Sequence, residues 1–256
     1  MQIIVLVKVV PDTYGERTLD LDTGLMVRAG SDRVVDEIDE RALELALAYK
    51  DEVGAEVILL SMAPADAAAP IRKALAMGAD RAVHVVDDEL VGADLGTTAE
   101  ALASAITRTG FDLVIAGNTS TDGSGGVVPA MLAELLSVPM ATALSAATIG
   151  ADSVTGRRVT DAGTVTVTAD LPAVVSVTEA LPEGRFPNFK GIMAAKKKPL
   201  EVLSLADLGV TVLGDTPRVI MTEVVQSPPR GAGVKITDEG DAGAQLAEFL
   251  VSQRLI

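Results

Sequence analysis

The chain has no cysteine and no tryptophan, and its 256 residues include two tyrosines, four phenylalanines and one histidine, His84. The absence of cysteine excludes disulfides, cysteine-ligated zinc, iron–sulfur clusters and thiol chemistry. A lone histidine inside an apolar run offers no paired metal ligand and no Ser-His-Asp triad, so we interpret His84 as structural. Because aromatic residues make up 2% of the chain, the core has to be built from Ala, Val, Leu and Ile.

Long apolar runs and an excess of positive charge are also missing. No stretch of 18 or more apolar residues occurs, which excludes a predicted membrane span. The formal net charge of −15 argues against broad nucleic-acid binding, which needs a cationic surface. The first residues lead directly into an apolar run without a basic region or cleavage site. We therefore expect no secretory signal and a cytoplasmic location.

What the first half does contain is an alternation of apolar runs and amphipathic segments. Asp36 and Asp66 are placed to cap helices, and Gly78 is placed to end one. Strands that are apolar throughout, separated by helices, predict a parallel sheet covered on both faces. The predicted strands cover residues 2–10, 56–61, 82–86 and 113–116, and the predicted helices cover residues 37–50, 66–77, 95–109 and 127–136.

The pattern changes after residue 139. Polar and β-branched residues alternate over 153–160 and 163–169, as in a β-hairpin, and residues 172–177 form a further apolar strand. We therefore predict a three-layer α/β fold whose sheet ends in antiparallel additions. Residues 1–200 would form this α/β domain. Residues 201–256 have too few core residues to fold alone and would form an extended arm, with a terminal helix, lying on another surface.

Residues 117–128, called the nucleotide loop below, follow a predicted strand and open a predicted helix. Glycines allow a ligand to approach the backbone, and free N–H groups at a helix start attract anions. Hydroxyls of Ser120, Thr121 and Ser124 could add donors. The loop matches neither the Walker pattern nor Gly-x-Gly-x-x-Gly, and a flexible connection is the alternative interpretation. Its position at the carboxyl end of a parallel strand favours nucleotide binding.

Few other residues suggest chemistry. Asp12 follows the first strand and is interpreted as a turn residue, and Asp36 and Glu37 are interpreted as partners of a helix dipole. Clusters with metal-ligand spacing are absent from the sequence. We predict neither catalytic residues nor a metal site, and therefore a protein that is not an enzyme.

Residues 185–198, called the docking segment below, concentrate what the rest of the chain lacks. They contain two of the four phenylalanines and four of the eight lysines, and no acidic residue. The segment shows neither helix nor strand periodicity. Apolar side chains beside a cationic rim are typical of an interaction anchor, whereas a buried hinge with a solvated lysine face is the alternative.

At four places the chain resembles the β subunits of electron-transfer flavoproteins. The matching blocks are residues 7–12, 71–81, 117–128 and 185–198, and the last contains Ile-Met-x-Ala-Lys-Lys-Lys at 192–198. The resemblance extends over essentially the whole chain. It implies an adenine-nucleotide-hydrolase-like domain without hydrolytic activity and a heterodimer with an α subunit, on which residues 201–256 would pack. It also implies FAD, held mostly by the α subunit, and one AMP in this chain.

Matching positions imply the site residues. Tyr14 is the candidate for contact with FAD, although it stands one place later than the family's tyrosine, which Thr13 replaces. Phe189 replaces a leucine that family members commonly use to dock dehydrogenases. The implied AMP contacts are Leu6, Arg33, Val34, Val35, Asp36, Met62, Gly117, Asn118, Thr119, Ser120, Thr121, Asp122, Gly123, Ser124, Gly125, Gly126, Val127 and Val128. The docking residues are Arg185, Phe189, Ile192, Met193, Lys196, Lys197 and Lys198.

The resemblance implies an electron carrier, in which the cofactor carries the chemistry and the protein positions it. Electrons would come from flavin dehydrogenases such as acyl-CoA dehydrogenases and pass to a membrane quinone oxidoreductase. One alternative is an electron-bifurcating member with a second FAD in place of AMP. Another is a stand-alone nucleotide-binding stress or signalling protein. A third, an ATP pyrophosphatase, would need an N-terminal Ser-Gly-Gly-x-Asp-Ser loop, which this sequence lacks.

Overall fold

A seven-stranded sheet, parallel throughout, organises the computed structural model, which describes residues 1–15, 17–28, 30–211 and 219–256. The chain divides into two compact units, Met1–Thr222 and Glu223–Ile256. The strands are β1 (Gln2–Leu6), β2 (Val9–Pro11), β3 (Arg33–Val35), β4 (Glu56–Met62), β5 (Arg81–Val85), β6 (Leu113–Gly117), β7 (Met140–Leu144), β8 (Ala146–Ile149), β9 (Ser153–Thr160), β10 (Gly163–Asp170), β11 (Ala173–Val177) and β12 (Leu200–Leu203). The helices are α1 (Glu37–Val53), α2 (Ala68–Met77), α3 (Leu95–Thr109), α4 (Val128–Leu136), α5 (Phe189–Ala195), α6 (Leu205–Leu208) and α7 (Ala242–Ser252).

The main sheet has the order β12-β5-β4-β1-β6-β11-β7, and every neighbouring pair is parallel. Alternate residues of β1 face opposite layers. Ile3 and Val5 pack with α1 and α2, whereas Ile4 and Leu6 pack with α3 and α4. Apolar residues at consecutive positions are explained by this burial on both faces. The predicted three-layer α/β fold is confirmed.

The chain order reverses at β1, which is the central strand. β4 and β5 extend the sheet on one side of β1, and β6 returns to its other side. In open α/β sheets such a reversal opens a crevice outside the carboxyl ends of the strands, where ligands bind. The loops after β1, β4 and β6 all leave from this edge.

Two details of the predicted elements near this edge are wrong. The predicted strand 2–10 ends at Leu6, because the Lys8 N–H donates to the Asp39 carboxylate at 2.7 Å and not to a neighbouring strand. The chain then forms β2, which pairs antiparallel with β3. Asp66 does not cap α2, which begins after a 3-10 turn at Ala65–Ala67 without a side-chain cap. The Asp66 carboxylate instead pairs with Arg33.

The antiparallel additions also differ in detail from the prediction. The hairpin of β9 and β10 forms, with its turn between Thr160 and Gly163, but it joins β8 in a separate three-stranded sheet. The edges of the main sheet are therefore parallel strands, β7 at one side and β12 at the other. Because β12 pairs with β5, residues 200–203 belong to the main unit, beyond the boundary expected at residue 200.

The second unit, Glu223–Ile256, contains the predicted terminal helix as α7. Leu246, Phe249 and Val251 of α7 are exposed. No helix among the described residues is both long enough and apolar enough to cross a bilayer.

Candidate functional site

The nucleotide loop leaves β6 at the edge where the chain order reverses. Leu6 ends β1, Met62 ends β4 and Gly117 ends β6, and these three strands are neighbours in the sheet. The loop then enters α4 at Val128. Residues that are far apart in the chain are thus brought to one crevice, as the sequence predicted for a nucleotide site.

Two buried carboxylates of α1 and its cap hold this loop. Asp36 caps α1 by accepting from the Ile38 N–H at 3.1 Å, and it also accepts from the N–H and the hydroxyl of Thr121, both at 2.7 Å. Asp39 accepts from the N–H of Lys8 at 2.7 Å and from that of Gly117 at 2.9 Å. Burial, and then the charge of neighbouring Asp36, raise the pKa of Asp39 to about 7.

The hydroxyls of Ser120 and Ser124 also take part in hydrogen bonds within the loop and to Lys8. The Ser120 hydroxyl oxygen accepts from the amine of Lys8 at 3.1 Å and from the N–H of Gly123 at 3.2 Å, and the Ser124 hydroxyl donates to the Ser120 carbonyl at 3.4 Å. Together with Thr121, which donates to Asp36, these side chains shape the loop. Two of the donors suggested by sequence, the hydroxyls of Thr121 and Ser124, are therefore used within the protein, which makes the backbone N–H groups the main candidates to face a ligand.

Cationic side chains surround the loop on its other side. The Asp122 side chain is 2% exposed and lies 2.7 Å from the Lys8 amine and 3.0 Å from the Arg28 guanidinium. Arg17 donates to the carbonyl oxygen of Thr121. Burial alone would raise the pKa of Asp122, but hydrogen bonds and charge from Lys8, together with Ser120 and Arg28, lower it to about 2.

Several polar groups in and near the nucleotide loop have no hydrogen-bond partner among the described residues. In the part of the chain that the structure describes, the N–H groups of Gly125, Gly126, Val127 and Val128 have no acceptor, and α4 has no side-chain cap. The buried side-chain oxygens Asn118 Oδ1, Thr119 Oγ1 and Ser61 Oγ also lack hydrogen-bond partners. Buried polar atoms without partners are rare, so the side chains of Asn118 and Thr119 are candidates for contact with a polar ligand, and the N–H groups that precede and open α4 are candidates for contact with an anion.

The glycine at the start of the loop is required by close contact. A Cβ at Gly117 would lie 2.6 Å from Asp39 Oδ1 and 3.1 Å from Ile38 Cγ2. Gly126 has a φ of +67°, in the left-handed region that favours glycine. The loop thus depends on glycine at one position for space and at another for backbone conformation.

Other implied contacts lie on the rim. Arg33, Val34 and Val35 form β3, next to the Asp36 cap. Tyr14 is fully exposed and borders an open cavity of about 440 Å³, which Asp12 and Asp32 also line. The structure places Tyr14 where another molecule can reach it.

Sequence reasoning assigned no site role to Lys8, Arg17, Arg28 and Asp39. Lys8 was visible as the interruption of an otherwise apolar run, whereas Asp39 looked like an ordinary acidic residue of a helix. Its burial follows from the packing of α1 on β6, a contact between residues 78 positions apart. A local pattern carries no signal for such a contact.

His84 has the structural role that the sequence indicated. It is buried in β5, its Nε2 lies 3.0 Å from the carbonyl oxygen of Ala63, and burial lowers its pKa. Among the described residues, no three His, Asp or Glu side chains gather as metal ligands.

The docking segment presents apolar side chains to solvent. Phe186 is 93% exposed and Phe189 is 80% exposed, and Ile192 and Met193 are about half exposed. Contrary to the predicted lack of periodicity, residues 189–195 form α5, which Asn188 caps by accepting from the Gly191 N–H at 2.8 Å. The predicted anchors are thus carried on a short helix.

Two of the predicted docking residues turn towards the fold. Arg185 pairs with Glu44 and Asp51, and Lys198 donates to the carbonyl oxygens of Leu75 and Ala79 at the end of α2. Lys196 and Lys197 are exposed. The ends of the segment therefore hold it in place, while its middle faces outward.

Comparisons with known proteins agree with this arrangement. A family model described as the electron transfer flavoprotein domain matches residues 23–208. The chain is 48% identical over 264 residues to the electron transfer flavoprotein subunit beta of Mycobacterium leprae (strain TN), covering 99% of both chains. It is 32% identical over 253 residues to the subunit beta of Bacillus subtilis (strain 168), covering 98% of this chain and 96% of the relative. The chain therefore belongs to the family of electron transfer flavoprotein beta subunits.

Proposed function

We propose that this chain binds one AMP and pairs with an α subunit to form a heterodimeric electron carrier. FAD, held mostly by the α subunit, would supply the electron-transfer chemistry. The chain would then act as a scaffold, a nucleotide-binding subunit and a docking surface, and would need no acid–base catalyst. This role requires no secretion, and we propose a bacterial cytoplasmic location.

The observation that carries the AMP proposal is the set of unpaired groups at the carboxyl edge of the sheet. The N–H groups of Gly125, Gly126, Val127 and Val128 would bind the phosphate. Asn118 and Thr119, whose side-chain oxygens are buried and unpaired, would bind polar groups of the nucleoside beside Leu6 and Met62. The family's beta subunits provide the wider context for this assignment.

Partner contacts would come from two surfaces. Phe189, with Ile192 and Met193 beside it, would insert into an apolar pocket of a flavin dehydrogenase such as an acyl-CoA dehydrogenase. Burying one such side chain contributes about 1.5–3 kcal/mol, which favours one orientation and still permits rapid release. Residues 223–256, with the exposed apolar side chains of α7, would pack on the α subunit. The electrons would continue to a membrane quinone oxidoreductase.

The nucleotide content of the purified complex tests the proposal. The chain is co-expressed with its α subunit, the protein is denatured, and the released nucleotides are separated and quantified by chromatography. We expect one FAD and one AMP per heterodimer. Two FAD molecules and no AMP would replace the proposal with the electron-bifurcating alternative. A stable homodimer that forms without an α subunit and binds ATP would support a stand-alone nucleotide-binding protein.

Docking is tested separately with Phe189→Ala. Removing the exposed ring should raise the KM for a reduced acyl-CoA dehydrogenase and leave the FAD content unchanged. Val202→Ala, at a position on β12 that is 56% exposed, is the matched control for loss of exposed apolar surface. Unchanged transfer kinetics in Phe189→Ala, or a loss of flavin, would show that this side chain does not dock the donor.

A further inference from the structure

Arg185 begins the docking segment, yet its polar contacts with the described residues are made with α1. Its Nε and Nη2 donate to the two oxygens of Glu44, each at 2.8 Å, and its backbone N–H donates to Glu44 at 3.0 Å. The remaining guanidinium nitrogen, Nη1, donates to Asp51 at 2.8 Å. This is a bidentate pair between a guanidinium and a carboxylate, which fixes direction as well as distance.

The far end of the segment is fixed by a different set of contacts. Arg72 of α2 donates to the Ala195 carbonyl oxygen at 2.9 Å, and the amine of Lys198 donates to that of Leu75 at 3.0 Å. Between the two ends, Gly191 lies directly against the carbonyl oxygen of Ala76. The segment is thus attached to α1 at its start and to α2 at its end, and Phe189 projects outward from the part between them.

We propose that Arg185 is a positioning residue that acts through Glu44 and Asp51 to fix the orientation in which the docking segment presents its phenylalanines. This inference rests on the docking role proposed above, and it assigns Arg185 to the segment's support instead of to contact with the partner. Phe186 immediately follows Arg185 and is 93% exposed, so a rotation of the Arg185 backbone moves that ring directly.

The physical argument concerns preorganisation. An exposed loop that has to order on binding loses conformational entropy at that moment, and a loop already held in its bound orientation loses less. Glu44 is 19% exposed and Arg185 is 35% exposed, so their pair is partly shielded from solvent. Lysine cannot reproduce two parallel hydrogen bonds to one carboxylate together with a third to Asp51.

The test uses the heterodimer and a recombinant bacterial acyl-CoA dehydrogenase reduced by its acyl-CoA substrate. We expect Arg185→Gln to raise the KM for the dehydrogenase by at least about fivefold, while kcat and FAD content change by less than about twofold. Glu44→Gln should raise the KM similarly, because it removes the same pair from the other side. The KM of the double variant Arg185→Gln with Glu44→Gln should be no higher than that of either single variant. Exchanging the two charges, with Arg185→Glu and Glu44→Arg, should bring the KM part of the way back towards that of the unchanged complex.

Direct contact of Arg185 with the dehydrogenase predicts different results. Glu44→Gln would then leave the KM unchanged, or the two effects would add, and either result overturns the inference. Lys196→Gln removes one exposed charge from the same segment and serves as the control for electrostatic attraction. If Arg185→Gln does not fold, the KM values of Glu44→Gln and Asp51→Asn decide between a positioning role and direct contact. A raised KM with full flavin content supports the positioning role, and an unchanged KM overturns it.

Phe189→Ala in the same assay separates this inference from the proposal on which it rests. An unchanged KM in Phe189→Ala means that docking through that side chain fails. A raised KM in Phe189→Ala, combined with an unchanged KM in Glu44→Gln, overturns only the role of Arg185. Amide hydrogen exchange of residues 189–195 gives an independent measure, with faster exchange expected in Glu44→Gln than in the unchanged complex.

Discussion

The amine of Lys8 lies 2.7 Å from the carboxylate of Asp122 and joins the end of β1 to the loop that follows β6. The two residues are 114 positions apart in the chain. The guanidinium of Arg28 also lies 3.0 Å from the Asp122 carboxylate, so a single buried carboxylate orders two cations beside the proposed phosphate-binding amides. The shape of the nucleotide loop therefore depends on a charge that the ligand does not supply.

Asp122→Asn should destabilise the chain and weaken AMP binding, because it leaves Lys8 and Arg28 without their shared counter-charge. The folded pKa of about 2 lies below the ordinary value of 3.8, so ionised Asp122 stabilises the fold above pH 4 and this contribution is lost as pH falls towards 2. The shift corresponds to about 2 kcal/mol, reduced somewhat by the exposure of Lys8. Urea unfolding at pH 7 measures the loss.

Asp66→Asn is the matched control, since it removes a carboxylate that is 62% exposed from its pair with Arg33. Exposed pairs contribute up to about 1 kcal/mol, so this variant should lose less stability than Asp122→Asn. Equal losses at the two positions would contradict the special role of Asp122.

The raised pKa of Asp39 predicts a pH dependence of stability that is opposite in sign to that of Asp122. Its folded pKa of about 7 lies above the ordinary value of 3.8, so the folded chain binds this proton more tightly than the unfolded chain. The free energy of unfolding should therefore fall, through Asp39, as pH rises from about 4 to about 7. His84 contributes in the other direction, because burial lowers its pKa.

A comparison with Asp39→Asn isolates this contribution. The variant should be less stable at every pH by about 1–3 kcal/mol, because its amide NH₂ faces the backbone N–H of Lys8 or Gly117. The difference in unfolding free energy between the two proteins should shrink as pH rises from 5 to 7.5, measured by urea denaturation. A constant difference would mean that Asp39 does not titrate in this range.

The sequence predicted the layers of the fold better than the contacts within the site. Local periodicity is enough to place α3 and the hairpin of β9 and β10, because the spacing of apolar residues within each element indicates its buried face. The direction of Arg185 depends instead on Glu44, 141 positions earlier in the chain. A cationic residue beside phenylalanines looks like part of an interaction surface until its distant partner is known.

Within the site the same distinction applies. The glycines of the nucleotide loop indicate backbone that a ligand can approach, and this is visible locally. Thr121 looked like a possible ligand donor, but its hydroxyl donates to Asp36, 85 positions away. Local sequence therefore indicated a candidate ligand site, whereas separating the side chains that hold the loop from those left for a ligand required the tertiary structure.

Gly117→Ala should disrupt the nucleotide loop. The added Cβ would lie 2.6 Å from Asp39 Oδ1, so Asp39 would have to move and lose its hydrogen bonds to Gly117 and Lys8. We expect a loss of about 1–3 kcal/mol in unfolding free energy and less AMP in the purified heterodimer. Gly231→Ala is the control, because it lies outside the nucleotide loop and its Cβ would meet no atom within 4 Å. Loss of AMP in both variants to the same degree would contradict this steric explanation.

Gly191→Ala tests how closely the docking segment is attached to α2. Helix propensity alone would favour alanine in α5 by about 1 kcal/mol, but the added Cβ would overlap the backbone carbonyl oxygen of Ala76. Because backbone cannot rotate away as a side chain can, α5 should shift from α2 and the variant should lose stability by about 1–3 kcal/mol. Gly243→Ala in α7 meets no atom within 4 Å and should be neutral or slightly stabilising. Thermal unfolding compares the two variants. An equal or higher melting temperature for Gly191→Ala than for the unchanged chain would show that α5 does not need its close contact with α2.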